Sequence, residues 1–151
     1  MIHRREHFRS GLIPVYAGRY DVLCSLLGPE WQPYCGTRTF KEQTALYAKK
    51  DGTTHAKAGE SAHNYGAASD WCLWDINGKP LWQEKGDPRW IPYLDACQKS
   101  GLLCLEFERP HNELPLYPHN GYNSPWQAVH EQFEIFGISA ALAYIKTNVR
   151  R

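Results

Sequence analysis

Hydrophobic side chains recur at intervals of mostly three or four residues between Pro14 and Leu27, which predicts an amphipathic helix that ends at Gly28-Pro29. A short extended segment is expected over residues 31–37. A second helix is predicted from near Thr39 to Lys49-Lys50, because basic side chains suit a helix C-terminus. The residues expected on its inner face are Phe40, Thr44, Leu46 and Tyr47.

The middle of the chain predicts a loop followed by a hairpin. Residues 53–68 are rich in small side chains, glycine and histidine, which favours a loop. Residues 68–75 predict a strand, and the Asn77-Gly78 pair that follows is typical of a hairpin turn.

The last third of the chain predicts further helices around a short strand. Asp87-Pro88 marks the start of a helix that ends at Gly101, with Asp87 as a cap. Residues 102–105 are expected to form a buried strand, followed by a polar turn that holds Glu108 and His111.

A final helical region is predicted after the capping residue Ser124, from Pro125 to about Lys146, with a break near Gly137. This order of elements predicts a mixed α+β fold, with a small sheet that carries helices. No linker divides the chain, so a single domain over residues 1–151 is expected.

Composition narrows the choice of partners. The 17 basic and 16 acidic residues nearly balance, which argues against a strongly electrostatic partner such as nucleic acid. The N-terminus has no apolar run of signal-peptide length, and no stretch is long enough to anchor the protein in a membrane. Five cysteines without zinc-ribbon spacing favour free, mostly buried thiols in a reducing cytoplasm.

The candidate chemistry lies in residues 61–70. His63 and Asp70 are seven residues apart, too far to share a metal from one helix, but they can converge if the loop turns at Gly66 into a strand. Imidazole and carboxylate groups suit zinc, and a hydrolytic zinc site needs three protein ligands. The best third ligand is His111, and Glu108, three residues earlier, could act as the base beside it.

Each of these signals is weak when it is taken alone. An isolated histidine and aspartate on a loop are more often polar surface residues than ligands. Three other histidines could replace a proposed ligand on composition alone: His55, His119 and His130. Glu106 is a minor rival to Glu108 as the base.

Three segments in order resemble the LAS peptidases, a group that includes phage L-alanyl-D-glutamate endopeptidases and D-alanyl-D-alanine carboxypeptidases and dipeptidases. Residues 61–70 resemble the first metal motif of that group, Ser-x-His-x-x-Gly-x-Ala-x-Asp. Residues 108–111 resemble the second, an acidic residue, then two residues, then the last histidine, often with proline just before the histidine. Residues 36–43 are similar to its Gly-x-Arg-Ser/Thr-x-x-x-Gln segment, and the Leu46-Tyr47 pair follows as in the family. The three segments span about half of the chain, residues 36 to 114.

The resemblance implies a hedgehog or D-Ala-D-Ala peptidase-like fold, with a small antiparallel sheet flanked by helices. It implies Zn²⁺ held by His63, Asp70 and His111, with Glu108 as the catalytic base. It also implies Arg38 as a cation near the substrate carbonyl or carboxylate, although from the residues alone a solvated surface arginine is an equally good interpretation.

Two further polar residues have competing interpretations. Ser61 could bind a ligand or the substrate backbone, although a loop-stabilising hydroxyl is an equally good interpretation. Gln43 is expected to be a structural hydrogen-bonding residue.

The favoured function is a zinc-dependent endopeptidase that cuts the L-alanyl-D-glutamate bond of peptidoglycan stem peptides. The residues 111–114, His-Asn-Glu-Leu, resemble phage members, which favours a monomeric endolysin that accumulates in the host cytoplasm and acts on the wall after release. A D-alanyl-D-alanine carboxypeptidase or dipeptidase, and a catalytically silent zinc module that binds the wall, are the alternatives.

The chain also departs from the family. Many relatives carry a Trp-Gly-Gly-like stretch where residues 102–107 stand here. Four tryptophans are expected to belong to the core rather than to a binding platform: Trp71, Trp74, Trp82 and Trp90.

Overall fold

The computed structural model describes residues 2–104 and 110–151. The chain separates into two compact units, the first formed by Met1–Thr37 and Gly66–Leu114, the second by Arg38–Tyr65 and Pro115–Arg151. The expectation of one domain over residues 1–151 stays a prediction.

The first unit contains a five-stranded antiparallel sheet. Its strands are β1 (Trp31–Cys35), β2 (Ala68–Trp74), β3 (Pro80–Leu81), β4 (Leu103–Cys104) and β5 (His111–Glu113). They run in the order β1-β2-β5-β4, and β3 pairs with β2. The predicted α+β class and the small antiparallel sheet with flanking helices are confirmed.

Three helices accompany this sheet: α1 (Ile2–Arg9), α2 (Pro14–Leu26) and α4 (Trp90–Lys99). The core between them is largely aromatic, since Tyr16, Tyr20, Trp71 and Tyr93 are each at most 1% exposed. The ring of Tyr93 stacks on Trp31 at 5.2 Å between centroids. Large rings bury much apolar area per residue, which suits a core of this small size.

The helix α1 was not predicted, because its sequence is polar and shows no apolar face. The guanidinium group of Arg5 holds this helix in place instead. Arg5 donates hydrogen bonds to the carbonyl oxygens of Cys24, Gly28 and Trp31 at 2.7–2.8 Å.

The second unit contains α3 (Phe40–Lys49), a short 3₁₀ helix (Ala62–Tyr65), α5 (Pro125–Phe136) and α6 (Ile138–Asn148). The predicted cap Ser124 accepts a hydrogen bond from the amide of Trp126, and Gly137, with a φ of 88°, separates α5 from α6 as expected. Trp126 stacks on Tyr65 at 6.1 Å, and these aromatic residues form part of the core of this unit.

Several predicted details were wrong. On α3, Thr44 and Tyr47 are exposed, and the residue that is buried is Gln43. The helix α4 begins at Trp90 rather than at Asp87, whose carboxylate accepts from the amide of Arg89 before the helix.

Fewer of the strands, thiols and tryptophans that were predicted to be buried lie in the core. The strand β4 is only half-buried, and Leu105 of the expected strand lies outside the described residues. Only Cys72 and Cys97 of the five free thiols are buried. Trp71 and Trp90 belong to the core, whereas Trp82 is 51% exposed and Trp74 is half-buried.

Across residues 2–104 and 110–151, no helix combines the length and the apolar character needed to span a membrane.

Candidate metal centre

Three side chains with metal-binding chemistry occupy one row across the sheet of the first unit. Asp70 on β2 is the register partner of Cys35 on β1 and of His111 on β5. Directly opposed residues on antiparallel strands have closely spaced Cβ atoms, so this register places the three side chains next to one another. The sheet therefore brings together two of the three predicted metal ligands, Asp70 and His111.

The imidazole of His111 lies between two carboxylates. Its Nδ1 is 3.1 Å from Oδ1 of Asp70, and its Nε2 is 2.9 Å from Oε2 of Glu113. All three side chains are largely buried, with exposed fractions of 7% for His111, 20% for Asp70 and 13% for Glu113. Water therefore screens these contacts much less than it would at the surface.

The charge state of His111 follows from these neighbours. Burial by itself disfavours the charged ring, but the hydrogen bonds and negative charges of Asp70 and Glu113 outweigh burial and hold the pKa of His111 well above 6.5. With both nitrogens protonated, the ring donates to both carboxylates. A metal that takes one nitrogen must therefore displace a proton, so metal binding at this site is coupled to proton release.

Strand alternation explains why the same short strand also contributes to the core. Side chains of successive strand residues point to opposite faces, so His111 and Glu113 share one face of β5 and Asn112 lies on the other. The amide oxygen of Asn112 accepts from the hydroxyl of Tyr16 at 2.6 Å. Its amide nitrogen donates to Ser69 Oγ at 3.1 Å and to the Tyr93 hydroxyl at 2.9 Å.

Pro110, which precedes His111, is also fixed by hydrogen bonds. Its carbonyl oxygen accepts from the amide of Trp71 at 2.9 Å and from the hydroxyl of Tyr93 at 2.7 Å. The entry to β5 is therefore attached to both β2 and α4, which holds the backbone of His111 in place.

The turn into β2 requires a glycine, as the sequence indicated. Gly66 has a φ of 65°, and a Cβ at this position would lie 2.5 Å from the carbonyl oxygen of Gly11. The amide of Ile13 donates to the carbonyl of Gly66 at 3.0 Å. This close approach sets the path of the chain just before Asp70.

Cys35 is a possible metal ligand that no sequence motif predicted. Its sulfur and a carboxylate oxygen of Asp70 lie within 4.8 Å of each other. Thiolate sulfur is a good ligand for zinc. Its position depends on the β1–β2 register, which local sequence does not specify, although its place just before the Gly-x-Arg segment at residues 36–38 was a usable signal.

The second unit holds the remaining described site residues. His63 lies in the 3₁₀ helix and is 3% exposed. Its carbonyl oxygen accepts from the amide of Arg38 at 2.9 Å, and the side chain of Asn64 donates to the carbonyl of Arg38 at 3.0 Å. Ser61 Oγ accepts from the amide of His63 at 3.4 Å, which is a loop-stabilising contact.

Gln43 orients the side chain of Arg38. Its Oε1 accepts from Arg38 at 2.7 Å, and its Nε2 donates to Thr54 Oγ1 at 3.1 Å and to the carbonyl of Ala56 at 2.8 Å. Gln43 is completely buried, as suits the structural hydrogen-bonding role that the sequence suggested. The roles of Arg38 and Ser61 toward a substrate stay predictions.

The alternative histidines make other contacts in the second unit. His130 Nε2 lies 3.1 Å from Glu134, His119 Nδ1 lies 3.2 Å from the Tyr144 hydroxyl, and His55 is exposed. The predicted base Glu108 and its rival Glu106 both lie outside the described residues.

The fold of this chain resembles that of solved and curated peptidoglycan endopeptidases. One similar solved structure is that of the L-Ala D-Glu endopeptidase ChiX of Serratia marcescens, and the match covers 76% of this chain and 89% of the ChiX chain. The TM-score is 0.54 and the sequence identity is 18%, so the likeness shows a shared fold. The peptidoglycan L-alanyl-D-glutamate endopeptidase CwlK of Bacillus subtilis is 33% identical over 95 residues, which cover 56% of this chain and 55% of that protein. The chain thus matches about half the length of this curated relative. No protein-family profile matches the chain.

Proposed function

We propose that this chain is a zinc-dependent peptidase that hydrolyses the L-alanyl-D-glutamate bond of peptidoglycan stem peptides. The observation that carries the proposal is the pairing of Asp70 and His111 across β2 and β5, with a carboxylate oxygen and an imidazole nitrogen 3.1 Å apart. Two ligands bound tetrahedrally to one zinc are roughly 3.4 Å apart, given metal–ligand distances of about 2.1 Å. The pair therefore fits a shared ion. The resemblance to two endopeptidases of this specificity supports the choice of bond.

The proposed ligands are His63, Asp70 and His111. Zinc bound by them would act as a Lewis acid that polarises the scissile carbonyl and makes water a better nucleophile. Glu108 would accept the proton of the attacking water and pass it to the leaving amine. Arg38 would place its positive charge near the substrate carbonyl or carboxylate, held in position by Gln43.

We further propose that the protein works as an endolysin on the stem peptides of the wall. This proposal is supported by the resemblance of residues 111–114 to phage members of the group.

The bond that is cut can be read directly from the products. Purified peptidoglycan digested with the protein should yield stem peptides with a new D-glutamate amino end, detected by mass spectrometry, and glycan strands that retain L-alanine with a free carboxyl group. Removal of the metal with a chelator should abolish this activity, and added zinc should restore it. Release of terminal D-alanine alone would contradict the endopeptidase proposal.

The role of Glu108 is tested by Glu108→Gln, which keeps the size of the side chain and removes its basicity. The variant should bind zinc as the wild type does but lose at least about 100-fold in rate, because proton transfer by a positioned base contributes about that much. Glu84→Gln, at an exposed position, is the matched control and should keep full activity. Wild-type activity in the Glu108 variant would refute the role of this carboxylate.

A further inference from the structure

We infer that Glu113 is a positioning residue, whose carboxylate holds the Nε2–H of His111 and thereby turns Nδ1 toward Asp70 as the metal-binding nitrogen. The inference rests on the proposed metal site and adds to it which ring nitrogen is used and what fixes that choice.

The two nitrogens of His111 face different surroundings. Nδ1 faces Asp70 at 3.1 Å, and a carboxylate oxygen of Asp70 lies within 4.8 Å of the Cys35 sulfur. Nε2 faces Glu113 at 2.9 Å. Since Asp70 is a proposed ligand, Nδ1 is the nitrogen placed to share an ion with it.

A neutral imidazole can bind a metal through one nitrogen only while the other carries the proton. If Nδ1 is the ligand, the proton is on Nε2, where the carboxylate of Glu113 accepts it in a hydrogen bond. Metal-binding histidines commonly donate their second N–H to a carboxylate, which fixes the tautomer and the ring orientation and makes the ligand nitrogen more basic.

The backbone holds Glu113 where this role requires it. Glu113 is the register partner of Ala68, which is completely buried, and the next amide, of Leu114, donates to the carbonyl of Ala67 at 2.9 Å. Asn112 attaches the opposite face of β5 to the core. The strand cannot turn either side chain away without breaking these hydrogen bonds.

Glu113 is itself largely shielded from water, with 13% of its side chain exposed. A carboxylate that loses most of its hydration needs a charged or hydrogen-bonding partner to compensate. The imidazole of His111 is such a partner, which explains why an acidic residue is accommodated next to a buried strand position.

The experiment compares zinc affinity and ring tautomer in four proteins: wild type, Glu113→Ala, Glu113→Gln and Glu134→Gln. Glu134 is the matched control, since it makes the same kind of contact to His130 Nε2, at 3.1 Å, on an exposed helix surface. Zinc affinity is measured by competition with a chromophoric chelator. The tautomer of His111 in the zinc-loaded protein is read from long-range ¹H–¹⁵N NMR correlations of its ring.

We expect the wild-type spectrum to show the proton on Nε2 and the metal on Nδ1. Glu113→Ala should weaken zinc binding by about 10- to 100-fold, the usual effect of losing such a supporting carboxylate. Glu113→Gln should lose less, because its amide oxygen can still accept from Nε2–H. Glu134→Gln should bind zinc as the wild type does. Since glutamine is close in size and shape to glutamate, the Gln variant keeps the test valid even if the Ala variant fails to fold.

Two results would overturn the inference alone: zinc affinity equal to that of the wild type in every Glu113 variant that folds, or a zinc-loaded ring that carries its proton on Nδ1. A wild-type protein that binds no zinc would overturn the proposed function, and this inference with it.

Discussion

Asn112 should be one of the most sensitive positions in the first unit. Its side chain is completely buried and makes three hydrogen bonds, to Tyr16, Ser69 and Tyr93. The substitution Asn112→Ala removes all three and leaves a small space that the neighbouring rings fill only in part.

The expected cost can be worked out bond by bond. Each lost hydrogen bond contributes about 1 kcal/mol net, which gives about 3 kcal/mol in total. The loss is not larger because the remaining partners keep other contacts: the Tyr16 hydroxyl still reaches Ser69, and the Tyr93 hydroxyl still donates to Pro110. A loss of this size lowers the melting temperature of a chain this long by about 6–12 °C.

Urea unfolding followed by circular dichroism would measure this change in the free energy of unfolding. The exposed residue Asn120 offers a control, and Asn120→Ala should change stability by less than about 0.5 kcal/mol. A loss below about 1 kcal/mol for Asn112→Ala would refute the view that this network holds β5 in the core.

Two further predictions concern backbone strain and pH. Gly66→Ala should cost about 3 kcal/mol, because positive φ strains any side chain and the new Cβ would lie 2.5 Å from the Gly11 carbonyl oxygen. Gly78 has a similar φ but open space around it, so Gly78→Ala should cost only about 1 kcal/mol. Equal losses of unfolding free energy for the two variants in urea would contradict the steric argument. The hydrogen bond from Arg9 lowers the pKa of Asp21, so the pair stabilises the fold above the unfolded-state pKa of about 3.9, and this contribution is lost as the pH falls through the lower folded-state value. Because both side chains are about half exposed, Asp21→Asn should cost only about 0.5 kcal/mol at pH 7. The difference from wild type should shrink as the pH falls through the lowered folded-state pKa of Asp21, and a difference that persists at still lower pH would contradict the ion-pair explanation.

Local sequence was sufficient to predict elements whose ends carry their own signals. The helix α3 begins after Thr39, whose side chain forms a capping box with Glu42, and the break between α5 and α6 falls at Gly137, whose φ of 88° favours glycine. The N-terminal helix α1 had no such signal, since the guanidinium of Arg5 stabilises it through carbonyl groups distant in sequence.

The candidate site was predictable to the extent that its residues occur in recognisable motifs. The motifs predicted Asp70 and His111, which the structure pairs across two strands, and their metal-binding role stays a prediction. Cys35 and Glu113 were missed because their relation to Asp70 and His111 depends on strand register and on which face of β5 a side chain occupies. Both properties result from long-range pairing, which no short stretch of sequence encodes.

The two faces of strand β5 have separate roles. Asn112 carries the attachment to the core, whereas His111 and Glu113 take no part in that hydrogen-bond network. Substitutions on the His111 face can therefore alter the proposed metal site while the strand stays folded, which makes this face suitable for testing which metal that proposed site prefers. Insertion of a single residue into β5 would have the opposite effect, because it would exchange the two faces and abolish both the anchor and the site at once.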